Sequence, residues 1–93
     1  MGDQTKLSEA IGAFQSGDLG RARAIAEEEL RSTRSPQLRH LLGLIDCRAG
    51  NFDEGIRSLR QAYEEEPANI AFQMMLVRAL IDAGRASEAL RLA

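Results

Sequence analysis

The chain has 93 residues, twelve basic and fourteen acidic side chains, a net charge of −2 and one cysteine. This length fits one domain, the balanced charge argues against a nucleic-acid partner or an anionic membrane surface, and a lone cysteine excludes an internal disulfide. The N-terminal residues are polar, unlike a signal peptide, and no apolar run is long enough to cross a membrane, so we expect a cytoplasmic protein without membrane insertion.

Apolar residues recur with helical period along the whole chain, and no strand-like alternation interrupts them. Ser35 followed by Pro36 is typical of a helix start, Pro67 ends a helix, and Asn69 is predicted to cap the start of the next one. The fold class is therefore all-α. We predict six helices, over residues 4–15, 19–33, 36–48, 52–65, 70–82 and 86–93.

Three glycines, Gly17, Gly50 and Gly84, lie 33 and 34 residues apart, each between two predicted helices. A fixed period of this size indicates an array of helical hairpins. We therefore predict a single domain of about two and a half repeats, over about 3–35, 36–69 and 70–93. The same register relates other, mostly small residues: Ala10, Gly43 and Val77, and Ala22, Gly55 and Ala89.

The middle repeat resembles the tetratricopeptide repeat, a helix–turn–helix unit of about 34 residues. The matching residues are Leu42 and Gly43 in the first helix, the turn from Gly50 to Glu54, and Leu59, Ala62 and Pro67 in and after the second helix. The third repeat matches through Leu76, Ala79, Gly84 and Ala89. The first departs from the pattern at Glu9 and Glu29, where a leucine and an alanine are usual in the family.

The resemblance implies a protein-interaction scaffold whose first helices line a concave groove for a peptide or helix. This largely apolar surface would fit an amphipathic helix or an extended apolar segment. Alternatively, the same residues contact a neighbouring helix of a longer array. Carried over to this chain, the groove residues are Leu7, Ile11, Phe14 and Gln15 in the first repeat, His40, Leu44, Cys47 and Arg48 in the second, and Met74, Arg78, Ile81 and Asp82 in the third.

The sequence stops two turns into the sixth helix, which leaves the last repeat incomplete. We expect a fragment of a longer protein, and one alternative function is the N-terminal recruiting or regulatory segment of a larger enzyme such as a transferase. Lys6 is the only lysine among twelve basic residues, a bias that suggests a GC-rich bacterial genome. The other alternative is a self-assembly module that forms a homodimer through the open third repeat, by way of Met75, Leu80, Leu90 and Leu92.

Nothing in the sequence favours catalysis or a bound cofactor or metal. There is no phosphate-binding loop and no acid–base pair at a suitable spacing. His40 and Cys47 lie seven residues apart on one predicted helix, which separates them by about 10 Å along its axis and makes a catalytic pair improbable. Two such ligands alone do not make a zinc site. We therefore expect a protein that is not an enzyme.

Overall fold

The computed structural model describes residues 2–92, and over that range the chain forms six α-helices and no strand. The all-α prediction is confirmed. The helices pack in succession along a body of 38 × 26 × 19 Å, and α1 also contacts α3. Their bounds are α1 (Gly2–Gln15), α2 (Leu19–Leu30), α3 (Pro36–Arg48), α4 (Phe52–Glu65), α5 (Ile70–Asp82) and α6 (Ala86–Leu92).

The predicted bounds of α3, α4 and α5 are confirmed, but α2 ends three residues earlier than predicted. The backbone N–H of Arg31 donates to the carbonyl of Glu28, and the N–H of Ser32 donates to the carbonyl of Glu29. These bonds span three residues, as in a 3₁₀ turn, and they end the α-helix. At the N-terminus α1 begins two residues before the predicted position. The predicted end of α6 at residue 93 lies outside the described residues.

Each hairpin turn contains a glycine in the left-handed region, with φ of 87° at Gly17, 91° at Gly50 and 78° at Gly84. The residue after each glycine donates its N–H to the carbonyl five residues back, with N···O distances between 2.7 and 2.9 Å. This arrangement satisfies carbonyls that the helix end leaves free, and only glycine adopts it without strain. The 33- and 34-residue period thus marks one turn geometry used three times.

The apolar side chains form two clusters along the array. The first joins α1, α2 and α3 through the fully buried Ala10, Ala26 and Leu38. The second joins α4, α5 and α6 through Leu59 and Leu76, which are also fully buried. Each repeat therefore buries its apolar side against the next one, as expected for a repeat array.

A charged pair joins α2 to α3 at the boundary between the first and second repeats. Arg23 of α2 and Asp46 of α3 form an ion pair, and Asp46 is only 4 % exposed. In the repeat register these two residues correspond to Ile56 and Leu80, which are both buried in the second cluster. One boundary thus joins its helices by an ion pair where the other uses two aliphatic side chains.

Two helices that each follow an asparagine differ in their caps and give a first test of the fold. Asn69 Oδ1 accepts from the Phe72 N–H at 3.2 Å, whereas the Asn51 side chain makes no capping hydrogen bond to α4. We expect Asn69→Ala to lower the free energy of unfolding by about 1 kcal/mol and Asn51→Ala by clearly less. Urea denaturation of both variants checks this, and equal losses would show that the cap has no role.

Candidate functional site

An apolar cavity of about 330 Å³ lies where the first helices of the three repeats meet. Its walls come from α1 and α3, and Phe72 of α5 closes one side. Aliphatic and aromatic side chains predominate, and three polar side chains, Gln15, Gln37 and His40, accompany them. Such a surface binds apolar groups through burial, while the few polar groups orient them. The lining residues are Leu7, Ile11, Phe14, Gln15, Gln37, His40, Leu41, Leu44 and Phe72.

Two aromatic contacts shape this cavity. The His40 ring stacks on the Phe72 ring, with centroids 4.5 Å apart and planes at 23°, so it links the second repeat to the third. The guanidinium carbon of Arg48 lies 4.3 Å from the centroid of the Phe14 ring and links the second repeat to the first. Arg48 therefore places a positive charge beside one of the apolar residues of the cavity.

A second cavity, of about 430 Å³, is lined entirely by α5. Met74 and Ile81 are more than half exposed there. Arg78 also lines it and pairs with Asp82 at 3.6 Å along the helix. The remaining lining residues are Gln73 and Val77.

The structure divides the twelve residues predicted for the groove. Six of them line the first cavity: Leu7, Ile11, Phe14, Gln15, His40 and Leu44. Three line the second: Met74, Arg78 and Ile81. Arg48 and Asp82 line neither cavity: Arg48 lies against the Phe14 ring, and Asp82 pairs with Arg78.

Cys47 is the one predicted groove residue that lies elsewhere. It packs against the second core cluster, and its sulfur lies so close to Gly55 of α4 that a Cβ there would be 2.5 Å away. Sequence reasoning missed three lining residues, Gln37, Leu41 and Phe72. Leu41 and Phe72 have the spacing of core residues, so their additional contribution to the cavity left no separate signal in the sequence.

Leu80 was predicted as a self-association residue, and this prediction is wrong. Its side chain is fully buried in the second cluster, so it is not available to a partner. Met75 and Leu92 are half-buried, and Leu90 is exposed. Since α5 is apolar nearly all round, its sequence pattern did not distinguish the side that faces α4 and α6 from the open side.

The environment of Cys47 opposes thiolate chemistry. Burial, followed by the charges of Asp46 and Asp82, raises the pKa of the Cys47 thiol and keeps it protonated at neutral pH. Across residues 2–92, no three His, Cys, Asp or Glu side chains come together as a metal site requires.

His40 gives the cavity a pH-dependent element. Burial lowers the pKa of the imidazole, and its Nδ1 atom is enclosed without a hydrogen-bond partner in the described part of the chain. The neutral ring therefore stacks on Phe72, whereas a charged ring would have to remain in an apolar wall.

We expect the stability of the fold to decrease as the pH falls below about 6.5, the ordinary pKa of histidine. Below that pH the unfolded chain binds a proton that folded His40 resists, so the His40 contribution is lost as the pH falls through the lowered folded pKa. Thermal denaturation between neutral pH and about pH 5 measures the effect. His40 is the only histidine in the chain, so His40→Gln is expected to remove this dependence of stability on pH. If the stability of His40→Gln still fell with pH as steeply as that of the unmodified chain, His40 would not be the cause.

The fold defines an array of helical hairpin repeats, with a glycine turn in each hairpin and an apolar surface along the first helices. A tetratricopeptide repeat family model matches residues 48–93, from the end of α3 to the end of the chain. This match places the second half of the chain, residues 48–93, in the tetratricopeptide repeat family. A search of curated proteins finds no match.

Tetratricopeptide repeats generally mediate protein–protein interactions and are typically non-catalytic. The third repeat and the second half of the middle repeat carry the match. No helix among residues 2–92 combines the length and the apolar character that a membrane span needs.

Proposed function

We propose that the chain is a scaffold that holds a peptide or amphipathic helix of another protein in the first cavity. The observation that supports this most directly is the open apolar wall formed jointly by α1, α3 and Phe72. Three successive repeats contribute to this wall, so its shape depends on the intact array. A partner that buries two or three aliphatic side chains against it would gain about 25 cal/mol for each Å² of apolar surface removed from water.

The polar groups at this cavity suggest what the partner carries besides apolar residues. Arg48 is more than a third exposed, takes part in no ion pair among the described residues, and lies against Phe14. An acidic side chain at one end of the bound segment would meet this guanidinium, and the glutamine side chains would donate and accept hydrogen bonds along the edge. We therefore propose an apolar segment with an acidic residue at the Arg48 end.

The test is selection from a random peptide library displayed on phage, followed by calorimetric titration of the enriched peptides. We expect peptides with apolar residues at helical or alternating spacing and an acidic residue. Ile11→Glu places a charge in the cavity wall and is expected to weaken binding at least tenfold. Ile70→Glu introduces the same change at an exposed isoleucine that lines neither cavity, so it serves as the matched control.

Three outcomes would contradict this function. The selection would yield no peptide, Ile11→Glu would bind like the unmodified chain, or both glutamate variants would lose binding equally. If a peptide binds but Ile11→Glu does not weaken it, the changes in the backbone amide chemical shifts of ¹⁵N-labelled protein on adding the peptide show which residues it contacts instead.

A further inference from the structure

The wall of the first cavity contains one titratable side chain, that of His40. The other side chains that line this cavity are aliphatic, aromatic or amide groups. One face of the imidazole stacks on Phe72, with ring centroids 4.5 Å apart, and Nδ1 is enclosed without a hydrogen-bond partner within residues 2–92. The ring is half-buried, so the part that Phe72 leaves uncovered borders the cavity.

The charged side chains near His40 are engaged elsewhere, and no carboxylate lines the cavity. Arg39, the preceding residue on α3, lies against α4, where it donates to Gln61 Oε1 at 3.0 Å and pairs with Glu65 at 3.7 Å. Burial alone lowers the pKa of His40, with no contribution from a neighbouring charge. The other charged side chains that the structure describes on the lining helices are Lys6 paired with Glu9 on α1, Asp46 paired with Arg23 and Arg48 against Phe14 on α3, and Arg78 paired with Asp82 on α5.

The neutral and the charged forms of His40 differ in what they need from the cavity. The charged ring carries an N–H on both nitrogens, and the enclosed Nδ1 meets no acceptor in the described part of the chain. Water in the cavity is therefore what stabilises the charge. An apolar side chain that occupies the cavity displaces this water and leaves the charge buried without a partner. A proton on His40 and an apolar group in the cavity thus disfavour each other.

We propose that protonation of His40 releases the bound segment, so that the first cavity holds its apolar partner at neutral pH and loses it in mild acid. This inference rests on the proposed function, because it concerns the regulation of that same cavity. One proton is exchanged, so the affinity falls by at most about tenfold for each pH unit. By reciprocity, the bound segment lowers the proton affinity of His40 by the same factor.

The contact proposed for Arg48 does not offset this effect. A guanidinium stays charged over the whole range in which a histidine titrates, so Arg48 attracts an acidic residue of the partner at neutral and at acid pH alike. Arg48 follows His40 by eight residues, which places it about 12 Å farther along α3. An acidic residue held at Arg48 is therefore too far away to pair with a charged His40 ring.

A fluorescence titration with N-phenyl-1-naphthylamine tests the switch, because this apolar dye stays neutral over the range in which histidine titrates. We expect the dissociation constant of the dye to rise about fivefold between neutral pH and about pH 5. His40→Gln and His40→Phe lack the titrating ring, and the second keeps an aromatic ring beside Phe72, so both are expected to bind the dye equally at the two pH values. The lower pH is set where the helical circular dichroism of each chain equals its neutral value.

The second cavity requires its own control, because it could take up the same dye. Ile81 lines that cavity, so Ile81→Glu removes the dye bound there, and the pH dependence is expected to persist in this variant. Its disappearance would overturn the proposal. Equal binding at both pH values in the unmodified chain, or a pH dependence that persists in both His40 variants, would overturn the switch and leave the cavity as an apolar binding site. Failure to bind the dye at neutral pH would contradict both the switch and the proposed function.

Nuclear magnetic resonance gives a direct second measurement, because the Cε1 proton of the only histidine gives a single signal. We expect the pKa of His40 to lie below about 6.5 in the free chain and to fall further when a peptide from the phage selection is bound. If the pKa were the same with and without the bound peptide, the switch would be wrong, while the bound peptide would still support the proposed function.

Discussion

Arg23→Ala is expected to lower the free energy of unfolding by about 3 kcal/mol, at the lower end of the range for breaking a buried ion pair. The loss arises because the substitution removes the partner of the Asp46 carboxylate, which is only 4 % exposed in the unmodified chain. Arg23 itself is about a third exposed, so water reaches one side of the pair and moderates the effect. Urea denaturation, with the slope of the transition compared to confirm that folding is still two-state, measures the change.

The repeat register supplies the matched control for this prediction. Arg23 and Asp46 stand where the next boundary has Ile56 and Leu80, so the double variant Arg23→Ile with Asp46→Leu copies that boundary. Replacing a buried ion pair by packed aliphatic side chains is often neutral or stabilising, and we expect the double variant to be at least as stable as the unmodified chain. A double variant as unstable as Arg23→Ala would show that the two boundaries differ in shape as well as in chemistry.

The helices and turns were predictable because their causes are local. A glycine in the left-handed region ends each first helix, and the capping role predicted for Asn69 follows from its own side chain. The contact of Arg23 with Asp46 was not predicted, since an aspartate next to Ile45 gives no sign of which helix will cover it. Side-chain pairing between repeats depends on how the helices cross, and the period alone does not determine that.

Part of the lining of the first cavity was predictable from the sequence. The family resemblance predicted that the first helices line a groove, and six residues of the predicted set line one cavity. The resemblance did not show that Phe72 closes that cavity or that Cys47 turns toward α4, because both depend on the fit between neighbouring helices. The binding role of these residues remains a proposal.

Gly55→Ala is expected to destabilise the fold by about 1–3 kcal/mol, the usual cost of forcing extra atoms into a packed core. A Cβ on Gly55 would lie 2.8 Å from the carbonyl oxygen of Gly43 and 2.5 Å from the Cys47 sulfur. The oxygen belongs to the backbone of α3, so relief requires α3 and α4 to move apart. That movement would loosen the contact of Leu59 with Gly43 and with it the central hairpin. Thermal and urea denaturation give the size of the loss.

Gly20→Ala is the control, because Gly20 lies within α2, is exposed, and a Cβ there would meet no atom within 4 Å. Alanine favours the helix over glycine, so this variant is expected to gain about 0.5–1 kcal/mol. Both variants replace glycine by alanine. If Gly20→Ala raises the free energy of unfolding and Gly55→Ala lowers it, the close approach of α3 and α4 at Gly55 is the cause of the loss. If Gly55→Ala also stabilised the chain, the two helices would have to be farther apart in solution than the contact of Gly43 with Gly55 requires.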